Sequence, residues 1–138
     1  MMMKTTVIKK PTIQIRTQKY AKIAYPLVDA LKDNEIKAKY RTLVLNFPTM
    51  VLQSGLAQAI GFLVAKNKPE HNILLEHLAQ LLGYQNQVKQ LHEDVRESDI
   101  TQYQLLTRKT IEASSWLKRY TQALLGKQGD QDDDSIDA

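Results

Sequence analysis

The chain has 138 residues, 43% of them hydrophobic, with no cysteine and a formal net charge of +4. That supplies one hydrophobic core and is too short for two domains; it excludes disulfides, a thiol nucleophile and zinc–thiolate sites. The charge is uneven: residues 1–22 carry six basic side chains and no acid, while residues 126–138 carry Lys127 against five aspartates. Up to Leu125 eighteen basic residues face ten acidic ones, an excess that attracts polyanions without dictating a fold.

The opening MMMKTTVIKK is basic, but no apolar stretch of signal-peptide or membrane length follows it. The expectation is a cytoplasmic protein with no membrane partner and a basic segment over residues 1–12. From Ile13 to Leu31 the apolar residues Tyr20, Ile23, Ala24, Leu27, Val28 and Leu31 recur at helical spacing. Pro26 removes a backbone donor and crowds the preceding turn, so a kink or break is predicted near Tyr25. A second helix is predicted from Asn34, a favourable N-cap, to just before Pro48, with Ile36, Tyr40, Leu43 and Phe47 on its inner face. Pro48 is then placed in the first turn of a third helix reaching Lys66, followed by Asn67 and Pro69. Within that helix Ala57, Gly61 and Ala65 form a row without side-chain bulk along which another helix can approach, and Leu56, Ile60, Leu63 and Val64 flank it.

A fourth helix is predicted over Glu70 to Leu82 with Gly83 as a left-handed cap. A shorter polar one within residues 84–97 carries Val88, Leu91 and Val95. The last begins at Ser98 or Asp99, where Asp99 and Gln102 have capping-box spacing, and runs to Leu125. Its buried side is read as Tyr103, Leu106, Thr110, Ala113, Leu117 and Leu124. The final GKQGDQDDDSIDA has too little apolar content to order itself and is read as an acidic, disordered tail over 126–138. The fold class is all-α: a single compact bundle of five to six helices over residues 13–125.

No catalytic constellation accompanies this pattern. His71, His77 and His92 do not share the i, i+4 spacing of a helical metal pair. Asp29 and Asp33, and the group Glu93, Asp94, Glu97 and Asp99, lie among lysines and arginines in polar stretches. Two-carboxylate hydrolysis needs one acid in an apolar pocket and the other kept ionised. No G-x-S-x-G turn or phosphate-cradling glycine loop occurs. The reading is not an enzyme, with no cofactor and no metal. The informative side chains are cations that fall largely near helix ends or outside the apolar stripes: Lys39, Arg41, Lys66, Lys68, Arg108, Lys109, Lys118 and Arg119. As a group they suit phosphate oxygens, which guanidinium and ammonium groups contact regardless of base sequence. Tyr20, Tyr40, Tyr103, Tyr120 and Trp116 are candidate stacking surfaces for unpaired bases, with Tyr40 and Trp116 assigned instead to the core.

A helix-turn-helix pattern, in which a small residue is followed by Gly four places later and an apolar residue at the tenth, nearly occurs twice. Ala57 and Gly61 lead to Asn67, and Ala79 and Gly83 lead to Lys89. Duplex DNA binding is therefore the alternative, with a helical protein–protein adaptor behind it.

Tyr40-Arg41, Pro48, the run Ser54-Gly55-Leu56-Ala57-Gln58, Phe62 through Lys66, and Trp116-Leu117-Lys118-Arg119 resemble the small helical subunit of the type III-B CRISPR effector, the Cmr complex, over residues 12–125. The resemblance implies a non-catalytic structural subunit in antiviral defence. Copies of it would stack as an inner filament beside a larger backbone subunit, along guide RNA and target RNA. It further implies that Arg41, Lys66, Lys118 and Arg119 contact RNA and that Gly55, Leu56, Ala57 and Gln58 are packing residues. With Lys39, Lys68 and Arg108 from the charge pattern, these cations make up the candidate nucleic-acid-binding set.

Overall fold

The computed structural model describes residues 15–126; the expectations placed on the basic N-terminal segment and the acidic tail lie outside them. Six helices and no strand occur among the described residues: α1 (Arg16–Asp29), α2 (Lys37–Ser54), α3 (Leu56–Lys66), α4 (Pro69–Leu81), α5 (Val88–Glu97) and α6 (Ile100–Leu124). The all-α expectation holds. Each helix turns one apolar stripe inward. Tyr20, Ala24 and Val28 do so on α1, Tyr40, Val44, Phe47 and Val51 on α2, and Leu56, Ala59, Ile60 and Leu63 on α3. On α4 the buried positions extend most of the way round, from His71 and Leu74 through Leu75, His77 and Leu78 to Leu81. This helix is central, with every other helix packed against it.

α2 ends beside Tyr103 near the start of α6: the Tyr103 hydroxyl accepts the Ala57 backbone N–H at 2.9 Å. Because α2 packs extensively along α6, it must run back along that helix, antiparallel to it. The contact row on α6 is narrow, with Thr110, Ala113, Ser114 and Thr121 buried alongside Leu117, and small side chains there admit close approach. α1 lies on α6 in the same direction as α6. Arg16 reaches Glu112 at its start, and Tyr25 meets Tyr120 further along.

Pro26 and Pro48 both sit inside helices, and no helix break falls at either. α1 is continuous through Pro26, which lies in its last turn, and Ala30 N–H still bonds Pro26 O at 3.1 Å. One lost donor near a helix end is offset by the burial of Val28 and Leu31 beyond it. Pro48 does not open the third helix; it is buried within α2 beside Phe47. The division falls instead at Gly55, whose φ of 89° and ψ of 159° place it where side chains are disfavoured. Asn34 caps the turn before α2, its Oδ1 accepting the Ile36 N–H at 2.9 Å, and the helix begins three residues later than predicted.

The row Ala57, Gly61, Ala65 is also corrected. Ala57 and Ala65 are exposed, and a Cβ added at Gly61 would meet nothing within 4 Å. Of the residues read as packing, Leu56 is fully buried while Ala57 and Gln58 face outward. The larger side chains Leu56, Ala59, Ile60 and Leu63 direct the opposite face of α3 into the core.

The predicted caps further along are present. Tyr84 N–H bonds Ala79 O at 2.7 Å and Gly83 N–H bonds Gln80 O at 3.2 Å, the paired bonds of a Schellman ending around a left-handed glycine at φ 91°. Asp99 Oδ1 accepts the Gln102 N–H at 2.8 Å and starts α6.

Gly55→Ala isolates the cost of the α2–α3 break. An added Cβ would approach Tyr103 Oη only to 3.7 Å, an ordinary contact, so the backbone alone opposes it. The variant is expected to lose about 1–3 kcal/mol, read from urea denaturation; unchanged stability would mean that residue 55 does not hold this conformation in solution.

Candidate nucleic-acid interface

The end of the bundle where α2 begins gathers most of the candidate cations. Lys39 and Arg41 stand on the first turns of α2, Lys66 on the last turn of α3, and Lys68 at the N-cap of α4. Lys39 and Lys68 line one groove with Thr42, Leu43, Glu70 and His71. Lys66 Nζ lies 5.7 Å from the Phe62 ring centroid, and Phe62 meets His71 edge-on at 5.4 Å. The exposed Lys66 ammonium thus stands over an aromatic face. Because α2 runs back along α6, its N-terminal turns lie towards the later half of α6, which carries Lys118 and Arg119.

Arg41 is half-buried, and its Nε is shielded from solvent without a hydrogen-bond partner among the described residues. A guanidinium anchored at its stem in this way has its orientation restricted before any anion arrives. Arg108 is not brought to the same end. Ten residues separate it from Lys118 on one helix, roughly 15 Å at the α-helical rise. Lys109, beside it, lines a groove with Asp94 and Glu97, a setting that repels phosphate.

Ion pairing does not account for the candidate cations. Among the described residues the acid–base contacts are Arg16 with Glu112 at 2.9 Å, Lys32 with Asp29 at 3.1 Å, and His71 with Glu70 at 3.3 Å. None involves Lys39, Arg41, Lys66, Lys68, Arg108, Lys118 or Arg119. No carboxylate among the described residues cancels their charges.

His77 and Asp94 are engaged within the fold. His77 is buried and shares a 2.7 Å hydrogen bond between its Nδ1 and the Tyr40 hydroxyl. Burial pushes the imidazole down to about 4 and raises the Tyr40 phenol. Asp94 accepts the Tyr84 hydroxyl at 2.6 Å and the Gln90 side chain at 2.9 Å. The Tyr84 phenol is raised by burial first and by Asp94 second. No group of three His, Asp or Glu among the described residues is placed to hold a metal ion.

Of the candidate aromatics, Tyr20 and Tyr40 are core, and Tyr103 caps α3. Trp116, read as core, is only partly buried; its indole N–H donates to Thr17 Oγ1 at 2.7 Å, and the ring lies 5.5 Å from Tyr120. Sequence reasoning passed over Tyr25, which continues this aromatic row on α1. The stress on Pro26 as a breaker hid the fact that an unbroken helix carries Tyr25 to Tyr120.

The duplex-DNA alternative finds little support in this arrangement. Ala57 and Gly61 share a single helix. Ala79 and Gly83 do end a helix, but the α5 helix that follows carries Glu93, Asp94 and Glu97 against Lys89 and Arg96, the wrong balance for insertion into a groove. No helix among the described residues is long and apolar enough to cross a membrane.

A family model described as CRISPR-associated protein (Cas_Cmr5) matches residues 16–124, the whole span of the six helices. The chain belongs to the Cas_Cmr5 family. A curated Cmr5 relative, the CRISPR system Cmr subunit Cmr5 of Thermus thermophilus, is 38% identical over 113 residues, covering 82% of this chain and 98% of that protein. The crystal structure of a CRISPR-associated Cmr5 family protein, also from Thermus thermophilus, matches with a TM-score of 0.77 at 38% identity, covering 82% of this chain and 99% of the other. The Cmr5 domain is thus nearly coextensive with the bundle.

Proposed function

We propose that the chain is a non-catalytic structural subunit of a type III-B CRISPR ribonucleoprotein. Copies of it would form an inner filament beside the backbone subunit and support guide and target RNA through sequence-independent phosphate contacts. Membership of the Cas_Cmr5 family supports the assignment to the complex. The RNA role rests on one observation: the seven candidate cations, Lys39, Arg41, Lys66 and Lys68 among them near helix ends, have no acidic partner within the described chain.

Cations placed in this way bind a strand by neutralising it and releasing counterions, so affinity falls with salt. If about five phosphates of a single strand are neutralised, log affinity should fall against log salt with a slope of about −3.5. One copy would bind weakly, and neighbouring copies would raise the total through effective concentration.

Lys118→Glu with Arg119→Glu, assembled into the full complex, is expected to weaken target-RNA association and to make the salt slope shallower by about 1.4 if each residue meets one phosphate. The isolated chain should keep its helical circular dichroism, since Arg119 is exposed and Lys118 only half-buried. Target association and salt slope equal to wild type would remove these residues from the interface. Native purification tests the assembly itself: the chain should emerge with larger subunits and a bound RNA.

A further inference from the structure

We infer that Tyr25, Tyr120 and Trp116 form a stacking ledge on the α1–α6 seam for the unpaired bases of an RNA strand; this rests on the RNA-binding role proposed above and adds base contacts to its phosphate contacts. The three rings are continuous. Tyr25 meets Tyr120 with centroids 5.2 Å apart at 89°, and Tyr120 meets Trp116 at 5.5 Å with a 32° tilt. Tyr25 remains 47% exposed, whereas Tyr120 and Trp116 are partly so. Trp116 is oriented by its bond to Thr17, so the row is fixed from its inner edge and open on its outer one.

Charge identifies the occupant. α1 has no acid before Asp29, and α6 has none after Glu112, whose carboxylate is held by Arg16. Lys22 lies one turn before Tyr25, and Arg119 lines the groove beside Trp116 with Ser115 and Glu112. Both cations are exposed and make no ion pair among the described residues. Rings flanked by free cations suit a strand whose bases stack while its phosphates meet ammonium and guanidinium groups, and every base has a π-face to offer. A protein surface docking here would have to supply its own acids to the same cations.

Trp116 is the only tryptophan in the chain, so its emission reports on the ledge directly. The full chain is titrated at low salt with a fluorescein-labelled single-stranded RNA and with an abasic strand of equal length, following anisotropy and Trp116 emission. Ordinary RNA should quench Trp116 and bind more tightly than the abasic strand, which should bind through phosphates and leave Trp116 unquenched. Tyr25→Ala, at an exposed helical position, should weaken ordinary RNA roughly fivefold or more without changing the abasic affinity or the salt slope. Equal affinity and equal quenching by the two strands would overturn the ledge and leave the phosphate contacts standing. Failure of both strands to bind would overturn the RNA role and the ledge together. If Tyr25→Ala binds RNA as wild type does but fails to assemble with the larger subunits, the surface docks protein and the inference is wrong.

Discussion

Tyr40→Ala is expected to remove about 3–5 kcal/mol, a large part of the roughly 5–15 kcal/mol that holds a typical domain together. Tyr40 has no solvent exposure and belongs to the stripe by which α2 meets the rest of the core. Its ring meets His77 edge-on with centroids 5.3 Å apart, so truncation leaves both a cavity and an unsupported imidazole. Tyr40→Phe separates these effects: the ring stays and the hydroxyl goes, leaving His77 Nδ1 without its 2.7 Å partner, at about 1–3 kcal/mol. Urea denaturation of the wild type and both variants should give midpoints in that order, with Tyr40→Ala lowest and the slopes shared. A phenylalanine variant as stable as wild type would mean that the hydroxyl holds nothing.

This pair shows what could be read from sequence and what could not. Tyr40 at the inner face of a helix follows from spacing alone. Its partner does not, because the two residues lie on different helices and His77 has no metal-like or catalytic neighbour to single it out. The same limit explains the α2–α3 boundary. Proline is favoured in a helix's first turn, so Pro48 read as a start; but proline is tolerated elsewhere when its ring is buried well, and burial is a property of the assembled core. Gly55 looked like an ordinary glycine in a helical run until its backbone placed φ at 89°. Asp99 and Gly83, by contrast, act through bonds within a few residues of themselves, and their roles were legible.

The candidate interface divides in the same way. That cations abound and acids thin out at either end of the domain is plain from composition. That Lys39 and Lys68 share a groove, or that Arg108 stands apart from Lys118, depends on how α2, α4 and α6 cross. The row Ala57, Gly61, Ala65 carried a sound rule about close approach onto the wrong face. Small residues permit contact, yet Leu56, Ile60 and Leu63 decide which face is buried. The close approach falls instead on α6, at Ala113 and Ser114, where the same rule applies to a helix with fewer large apolar residues to compete.

His77 should also make the fold sensitive to acid. Burial holds its imidazole neutral and lowers it from 6.5 to about 4, so between those values the unfolded chain binds a proton that the native chain refuses. Stability must then rise with pH across that window. The contribution is complete above about pH 6.5 and is lost as pH falls towards 4, amounting to about 3 kcal/mol at 1.36 kcal/mol per unit. Acid titration of other groups adds its own slope, so the comparison is with His77→Gln, which keeps a polar side chain at the site but cannot titrate. Urea denaturation of both proteins at pH 7, 5.5 and 4 should show the wild type's advantage shrinking by about 3 kcal/mol over that range. An advantage that is the same at pH 7 and pH 4 would mean that the imidazole is not excluded from water in the folded chain, and the Tyr40–His77 bond would then have to be an exposed contact rather than part of the core.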